Sequence, residues 1–260
     1  RSYTVEMKIS FVIPAYNEEK LIGKCLGSVE REIERSGYEA EIIVADNGST
    51  DRTREIAASF PRTRAVEERW KGANRARQTG LRASTGEFIA SLDADTIIPS
   101  GWLTTAMHEF ERDPELAAIT GPFIYYDLPA WKRFLARIFI STYPLVNFLI
   151  QNVFHAGAVL QGGNFVVRRA VLEKIGGHNT SIEFYGDDTD TARRLSKIGN
   201  VKWTFKLPIY TSARRLKHEG ITRVGFRYAL NFFWMTFFGK PYTLTYKDIR
   251  PSDKDDRRPA

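Results

Sequence analysis

The 260-residue chain has one cysteine, Cys25, so it can form neither an intramolecular disulfide nor a cysteine-built zinc cluster. It has no internal repeat and no low-complexity linker before residue 247, which points to one large domain or two small ones rather than an array. No charged start leads into an apolar run with a small-residue cleavage site, so no signal peptide is visible; a start at Arg1 is also compatible with a trimmed leader. No apolar stretch of 18 residues runs unbroken, which argues against a membrane span. What is present is globular in kind: 43% hydrophobic and 27% charged residues, with 13% aromatics, too many for a disordered chain.

The net charge of +7 is unevenly divided. Residues 1–123 hold 16 Lys and Arg against 20 Asp and Glu, whereas residues 124–260 hold 22 against 11. The basic half predicts an anionic counterpart (phosphate, a membrane surface or nucleic acid) unless it is simply a solvated face. It contains no recognisable nucleic-acid module, so no nucleic-acid partner is expected.

Short apolar runs alternate with helical periodicity through the first half. Ile9–Ile13, Ile42–Ala45 and Phe88–Leu92 read as buried strands, with a weaker one at Arg64–Val66. Leu21, Ile22, Cys25, Leu26, Val29 and Ile33 recur at helical spacing ahead of Gly37; helices are also expected over 51–60, 73–81 and around 103–110. This alternation predicts an α/β fold, a mainly parallel sheet with helices on both faces. Ligands in such sheets collect beyond the carboxyl ends of the strands. Polar clusters fall there: Tyr16-Asn17-Glu18, Asp46-Asn47-Gly48 and Asp93-Ala94-Asp95.

Two carboxylates one residue apart can hold a hard divalent cation and leave its other positions to phosphate oxygens and water. The Asp-x-Asp pattern occurs at 93/95, 188/190 and 253/255, but only the first ends an apolar strand; the alternative is a turn or helix cap. Asp46 precedes an Asn-Gly turn signal, with Thr50 or Asp51 placed to cap the next helix. Its carboxylate is also suited to accept from a nucleobase N–H. Asp187, Asp188 and Asp190 enter a helix expected from Thr191 to Ile198. They read either as capping acids favoured by the helix dipole or as the source of a general base.

Taken in order, FVIPAYNEEKLIGKCLGSV, EIIVADNGSTDRT, KGANRARQTGL, TGEFIASLDADT, GGNFVVRRAVLEKIGG and FYGDDTDTARRLSKIG resemble the family-2 glycosyltransferases of GT-A (Rossmann-like) fold over roughly residues 8–200. The resemblance implies a transferase domain over 1–215, followed by an aromatic helical segment and charged tail over 216–260. It implies a nucleotide-diphosphate sugar donor, most often a UDP-sugar, and Mn2+ or Mg2+ as cofactor. Pro14, Ala15, Tyr16 and Glu18 would form the first nucleotide loop, and Asp46 would read the base. Lys71, Gly72 and Arg77 would flank the nucleotide. Asp93 and Asp95 would be the metal acids of the DxD motif, with Asp95 the direct ligand. Gly162, Gly163 and Asn164 would face donor sugar and acceptor, and Asp188 would be the base of an inverting reaction. Asp187 stands where the family has Glu.

The Gln-x-x-Arg-Trp element of the family's processive synthases is missing; Ser212 to His218 stand in its place. There Arg214 and Arg215 are suited to diphosphate, and His218 is either an extra metal ligand or an ordinary surface histidine. The alternatives are a retaining GT-A transferase, a binding module without activity, and a basic nucleic-acid or membrane-surface binding module. The acceptor is expected to be a saccharide or a lipid-linked molecule. WKRFLARIFISTYPLVNFLI and Phe226–Phe238 are aromatic and basic, and read either as helices buried on the sheet or as peripheral membrane contacts. The expected location is the cytoplasm, with such contact at the inner membrane face. The tail from Pro251 is charged and expected to be loose.

Overall fold

The computed structural model describes residues 8–244; the tail from Pro251 and the 253/255 acid pair lie outside them. Seven strands form the central sheet in the order β3-β2-β1-β4-β8-β6-β9. They are β1 (Ile9–Ala15), β2 (Ala40–Asp46), β3 (Thr63–Glu67), β4 (Phe88–Leu92), β6 (Leu116–Thr120), β8 (Asn164–Arg168) and β9 (Asn200–Trp203). β8 runs antiparallel to both neighbours and the other pairings are parallel, so the expected mainly parallel sheet is present. β5 (Thr96–Ile97), β7 (Phe123–Tyr125) and β10 (Ile209–Thr211) make a second, three-stranded sheet that periodicity did not reveal, since two- and three-residue strands carry no period.

β1 and β4 are buried almost throughout and, apart from Ser10 and Ser91, apolar, because both of their faces are covered. On one face α1 (Ile22–Ser36) and α4 (Trp102–Arg112) pack Leu26, Val29, Trp102 and Leu103 onto Phe11 and Ile13. On the other, α3 (Ala73–Ala83), α7 (Arg169–Lys174) and α8 (Asp187–Leu195) pack Leu81, Leu172 and Leu195 onto Val12 and Phe165. Gly37 ends α1 in the left-handed conformation at φ 73°, as its place after the last periodic residue predicts. α2 (Thr53–Ala58) is shorter than the expected 51–60, because the Asp51 carboxylate accepts the N–H and hydroxyl of Thr53 and starts the helix there. α8 starts four residues earlier than expected, which moves Asp187, Asp188 and Asp190 into its first turn.

The segment between β7 and β8 departs from expectation. α5 (Ala130–Ser141), α6 (Tyr143–Phe148) and a π-helical turn (Leu149–Val153) form one run of 24 residues. Its polar interruptions do not break the helix, because Pro144 falls in the first turn of α6, where its missing N–H is harmless. By length and composition alone the run could cross a membrane, which corrects the reading that its breaks exclude a span. It is not a buried core helix either, since only 11% of its most apolar window is buried. Ile140 packs with Val159 and Trp203 at the β9 edge, against Tyr143, Val146 and Phe232. After β10, α9 (Arg214–Glu219) leads to α10 (Ile221–Phe238), which rests on α8: Met235 Cε lies 3.1 Å from where a Cβ on Gly186 would stand. The expected domain boundary after residue 215 thus falls inside α9.

Candidate active site

The carboxyl ends of β1, β2 and β4 lie side by side, with Ala15 in register with Asp46 and Val12 with Ser91. Parallel pairing therefore delivers Tyr16, Asp46 and Asp93 to one rim. The loops leaving that rim are tied together. The Asn17 N–H donates to Ser49 Oγ at 3.0 Å, Asn17 Oδ1 accepts the Thr50 N–H at 2.8 Å, and the Glu18 N–H donates to Thr53 Oγ1 at 2.7 Å. Asn17 holds φ at 50° to make these bonds, a conformation Asn tolerates better than most residues.

Asp46 is buried and accepts the Ser49 N–H at 3.3 Å, closing the Asn-Gly turn. The next residue was legible only as a turn former, yet it ties the 68–72 segment to this end of the rim. Asn47 Nδ2 donates to the carbonyls of Glu68 at 3.0 Å and Trp70 at 2.8 Å, and Asn47 Oδ1 accepts the Gly72 N–H at 2.9 Å. Lys71 Nζ donates to the Asn47 carbonyl at 2.9 Å and stands 3.1 Å above the Tyr16 ring centre, a cation–π contact. Tyr16, Asp46 and Lys71 thus meet in space; Pro14 and Ala15 lie in β1 as backbone leading to them.

The acids form the second half of the cleft. Buried Arg77, on α3, donates from Nη2 to Asp93 Oδ1 at 2.9 Å and from Nη1 to Asp187 Oδ2 at 2.8 Å. One guanidinium therefore joins the end of β4 to the start of α8. Gly162 and Gly163 lie between them. A Cβ on Gly163 would stand 2.1 Å from Asp93 Oδ2, and one on Gly162 would stand 3.4 Å from the Asp188 Cβ. The first glycine is thus tolerant of a methyl, whereas the second is required by the Asp93 carboxylate.

Asp188 accepts the Thr189 N–H at 2.7 Å. Burial pushes the Asp187 carboxyl up to about 7; Arg77 holds it down and Asp188 pushes it further up. Burial raises Asp188 as well, against the pull of the Thr189 N–H and Arg77. Two adjacent carboxyls that burial holds above their usual range at a cleft wall are suited to exchanging a proton.

Asp95 lies on the loop into β5, with its side chain 12% exposed. Arg214 Nη2 is 3.1 Å from its Oδ2, and the Thr211 hydroxyl is 3.5 Å from its Oδ1. Arg214 also forms a two-pronged pair with Glu18, Nη1 to Oε2 at 2.8 Å and Nη2 to Oε1. Burial opposes the Arg214 charge, but Glu18 and Asp95 more than offset it, so its pKa is raised. The loop carrying Arg214 is anchored by a residue the sequence reading missed: Asp127 accepts from the Ala213 N–H at 2.7 Å, Ser212 Oγ at 3.0 Å and Lys217 Nζ at 3.0 Å. The available signal was that Asp127 is the sole acid between Glu115 and Glu173.

Three expected site residues are placed differently from their neighbours. The Asn164 side chain is fully buried. Its Oδ1 accepts Trp102 Nε1 at 3.1 Å and its Nδ2 donates to the carbonyls of Gly121 and Leu207 at 2.9 Å each, so it fastens the two sheets rather than reaching a donor sugar. Arg215 pairs with Glu219 at 2.9 Å and stacks 4.6 Å from the Phe184 ring. His218 is exposed on α9, and no group of three His, Cys, Asp or Glu that could hold a metal ion occurs among the described residues. The side chains suited to a divalent cation are the hard oxygens of Asp95 and Asp93. They fit one in charge and chemistry, provided that substrate and water complete its shell.

The glycosyltransferase AglE of Haloferax volcanii is 39% identical over 101 residues; the match covers 36% of this chain and 33% of AglE, so the chain corresponds to only part of that relative. Among solved structures, the mannosyltransferase PcManGT from Pyrobaculum calidifontis, in complex with GDP-Man and Mn2+, superposes with a TM-score of 0.68 at 22% identity, over 90% of this chain and 65% of that one. S. aureus TarS in complex with UDP-GlcNAc gives 0.60 at 20% identity, over 80% and 59%. The fold is therefore the GT-A arrangement. The family model for glycosyl transferase family 2 matches residues 10–176, nearly two thirds of the sequence, and the chain belongs to that family.

Proposed function

We propose that the protein transfers a sugar from a nucleotide-diphosphate donor to an acceptor hydroxyl, with inversion and with Asp188 as general base. The observation that carries this reading is the convergence of Asp93, Arg77, Asp187, Asp188 and Gly162-Gly163 in one cleft, reached from β4, α3 and α8. Asp46, Tyr16 and Lys71 border its other end and suit a nucleoside: a carboxylate for a base N–H, and a ring and an ammonium for the flat base and its phosphate. A UDP-sugar is the donor we favour, as in TarS with UDP-GlcNAc; the GDP-Man of PcManGT makes guanosine the competing base. Thermal shift against UDP-, GDP- and dTDP-sugars decides, since a true ligand raises the midpoint by mass action.

A divalent cation, Mn2+ or Mg2+, held by Asp95 with Asp93 beside it, would neutralise charge on the departing diphosphate. Arg214 already stands at Asp95 and would turn its guanidinium to the phosphate oxygens. Asp188 takes the acceptor proton as the hydroxyl attacks the anomeric carbon from the face opposite the diphosphate. Arg77 holds Asp93 and Asp187 at their separation and keeps the Asp187–Asp188 pair from rising too far to act as a base.

Asp188→Asn is expected to leave donor binding nearly unchanged and to lower turnover by about a hundredfold or more, the scale of a lost general base. Turnover that survives, with retained anomeric configuration by NMR, would assign the chain to retaining chemistry instead. Asp95→Ala is expected to abolish the metal-dependent part of nucleotide binding in calorimetry.

A further inference from the structure

The helical run Ala130–Val153 and α10 carry many exposed large apolar side chains. Trp131, Phe134 and Leu145 are each 62% exposed and Phe226 is 73% exposed. The two segments are continuous: the Phe154 and Phe237 rings meet edge-on at 5.8 Å. Patches of this extent are rare on monomeric soluble proteins and mark an interaction surface.

The charge around the patch identifies what covers it. Residues 128–172 and 220–247 contain no Asp or Glu, while Lys132, Arg137, Arg223 and Lys240 lie among the apolar side chains. Where the two segments meet, a hollow of about 420 Å³ is lined by His155, Arg193, Lys197 and Phe237. A second copy of the chain would bring like charge to like across such a face. Apolar rings on segments whose own charged side chains are all cations match a layer that is hydrocarbon within and anionic at its boundary.

The same elements border the candidate base on their inner side. Tyr143, at the start of α6, is pushed up to about 12 by burial and by the charge of Asp188, and bonds Gln161, the residue before Gly162. Met235 of α10 packs on Gly186, two residues before Asp188. The outer side of these helices is apolar and the inner side meets the acid pair.

We infer that Ala130–Val153 and α10 form a docking face for an anionic phospholipid bilayer, with His155, Arg193 and Lys197 receiving headgroup phosphates, and that the acceptor reaches Asp188 from that bilayer. The statement about the acceptor rests on the transfer reading of Asp188; the docking itself does not.

Vesicle flotation of the 260-residue chain tests it, with phosphatidylcholine alone and with phosphatidylglycerol added. The chain floats with the anionic vesicles, and less so at roughly 0.5 M salt, where screening is short-ranged. Phe134→Ser/Ile138→Ser and Arg193→Glu/Lys197→Glu each weaken flotation by roughly tenfold or more, since apolar burial and charge attraction both contribute. Both variants keep the thermal shift produced by UDP and manganese, which separates loss of docking from loss of the donor site. Failure of the wild-type chain to float on either vesicle, flotation unchanged in both variants, or equal flotation on neutral vesicles overturns the inference. So does a dimer in light scattering that Phe134→Ser/Ile138→Ser converts to monomer without effect on vesicles.

Discussion

Replacing Arg77 by Met keeps much of the side-chain volume and removes the one guanidinium shared by Asp93 and Asp187. Arg77 is buried, with only 7% of its side chain exposed, and its two bonds are 2.9 and 2.8 Å long. Losing one partner of a buried pair costs about 3–5 kcal/mol, because the other charge is left uncompensated. The Asp93 side chain is 39% exposed and water screens its half of the loss, whereas that of Asp187 is 17% exposed, so the lower end, about 3 kcal/mol, is expected. The deficit depends on pH with a definite sign. Arg77 lowers Asp187 and Asp188, so in its absence both carboxyls rise further. They are then ionised at a cost in mildly alkaline buffer and neutral at acid pH. The urea midpoint should therefore fall most above neutrality and recover as the pH is lowered through the raised values. For the same reason the acid limb of the pH–turnover profile should move to higher pH. Arg77→Lys keeps the charge, but one ammonium cannot span both carboxylates, so it should show a smaller deficit in the same direction. Stability within about 1 kcal/mol of wild type at every pH, with an unmoved acid limb, would refute the role given to Arg77.

Gly163→Ala should displace the Asp93 carboxylate, since its Cβ would stand 2.4 Å from Asp93 Cγ; turnover should fall by roughly tenfold or more, with about 1–3 kcal/mol lost in urea unfolding, and Gly162→Ala should be much milder. His178 is buried beside Arg77 and Arg194, and burial followed by those charges lowers its pKa to about 3. The unfolded chain takes up a proton near pH 6.5 that the folded one refuses, so this contribution is intact above 6.5 and is lost as pH falls. The stability difference between wild type and His178→Leu should change by about 2 kcal/mol between pH 6.5 and 5. Asp127→Ala frees Ser212, Ala213 and Lys217 and so loosens the Arg214 loop; donor KM should rise more than kcat falls, with a thermal midpoint lower by about 2–4 °C.

The sequence made four of the seven central strands legible, β1 to β4, because buried parallel strands are largely apolar runs, and α1, α3 and α4 have clear periods; β6, β8 and β9 were not among the expected strands. The rim acids followed from the rule that ligands gather at strand ends. What escaped was set by tertiary contact. Asn47 read as half of a turn signal, and nothing local says that its amide binds two carbonyls 21 and 23 residues away. Asn164 sits beside two site glycines and was read with them, but strand alternation turns its side chain to Trp102 in the core. Arg77 entered the expected site only through the family resemblance. That it is buried between two acids, 16 and 110 residues distant, depends on α3 and α8 packing on one face of the sheet. The 130–153 run departs from expectation because its polar residues are not breaks: a helix disposes them along its length without ending.

Local charge separates the transferase reading from a phosphate-binding module of the nucleic-acid kind. A cleft built to hold polyanions by charge alone would be lined with cations. This cleft gathers Glu18, Asp93, Asp95, Asp187 and Asp188 around Arg77 and Arg214, and adding the Arg215–Glu219 pair leaves the balance negative. A diphosphate brought to such a rim is repelled unless positive charge accompanies it, which is the condition a metal-bound nucleotide sugar meets. The excess of cations in residues 124–260 therefore has to act elsewhere. Five of them, Lys132, Arg133, Arg137, Arg223 and Arg227, lie on the exposed apolar helices on the far side of Tyr143 and Met235, and those helices carry no acid of their own. An acidic mouth and a cationic, apolar flank on one basic chain are accounted for together if the donor arrives from water with its counter-ion and the acceptor arrives from a surface that the flank can bind.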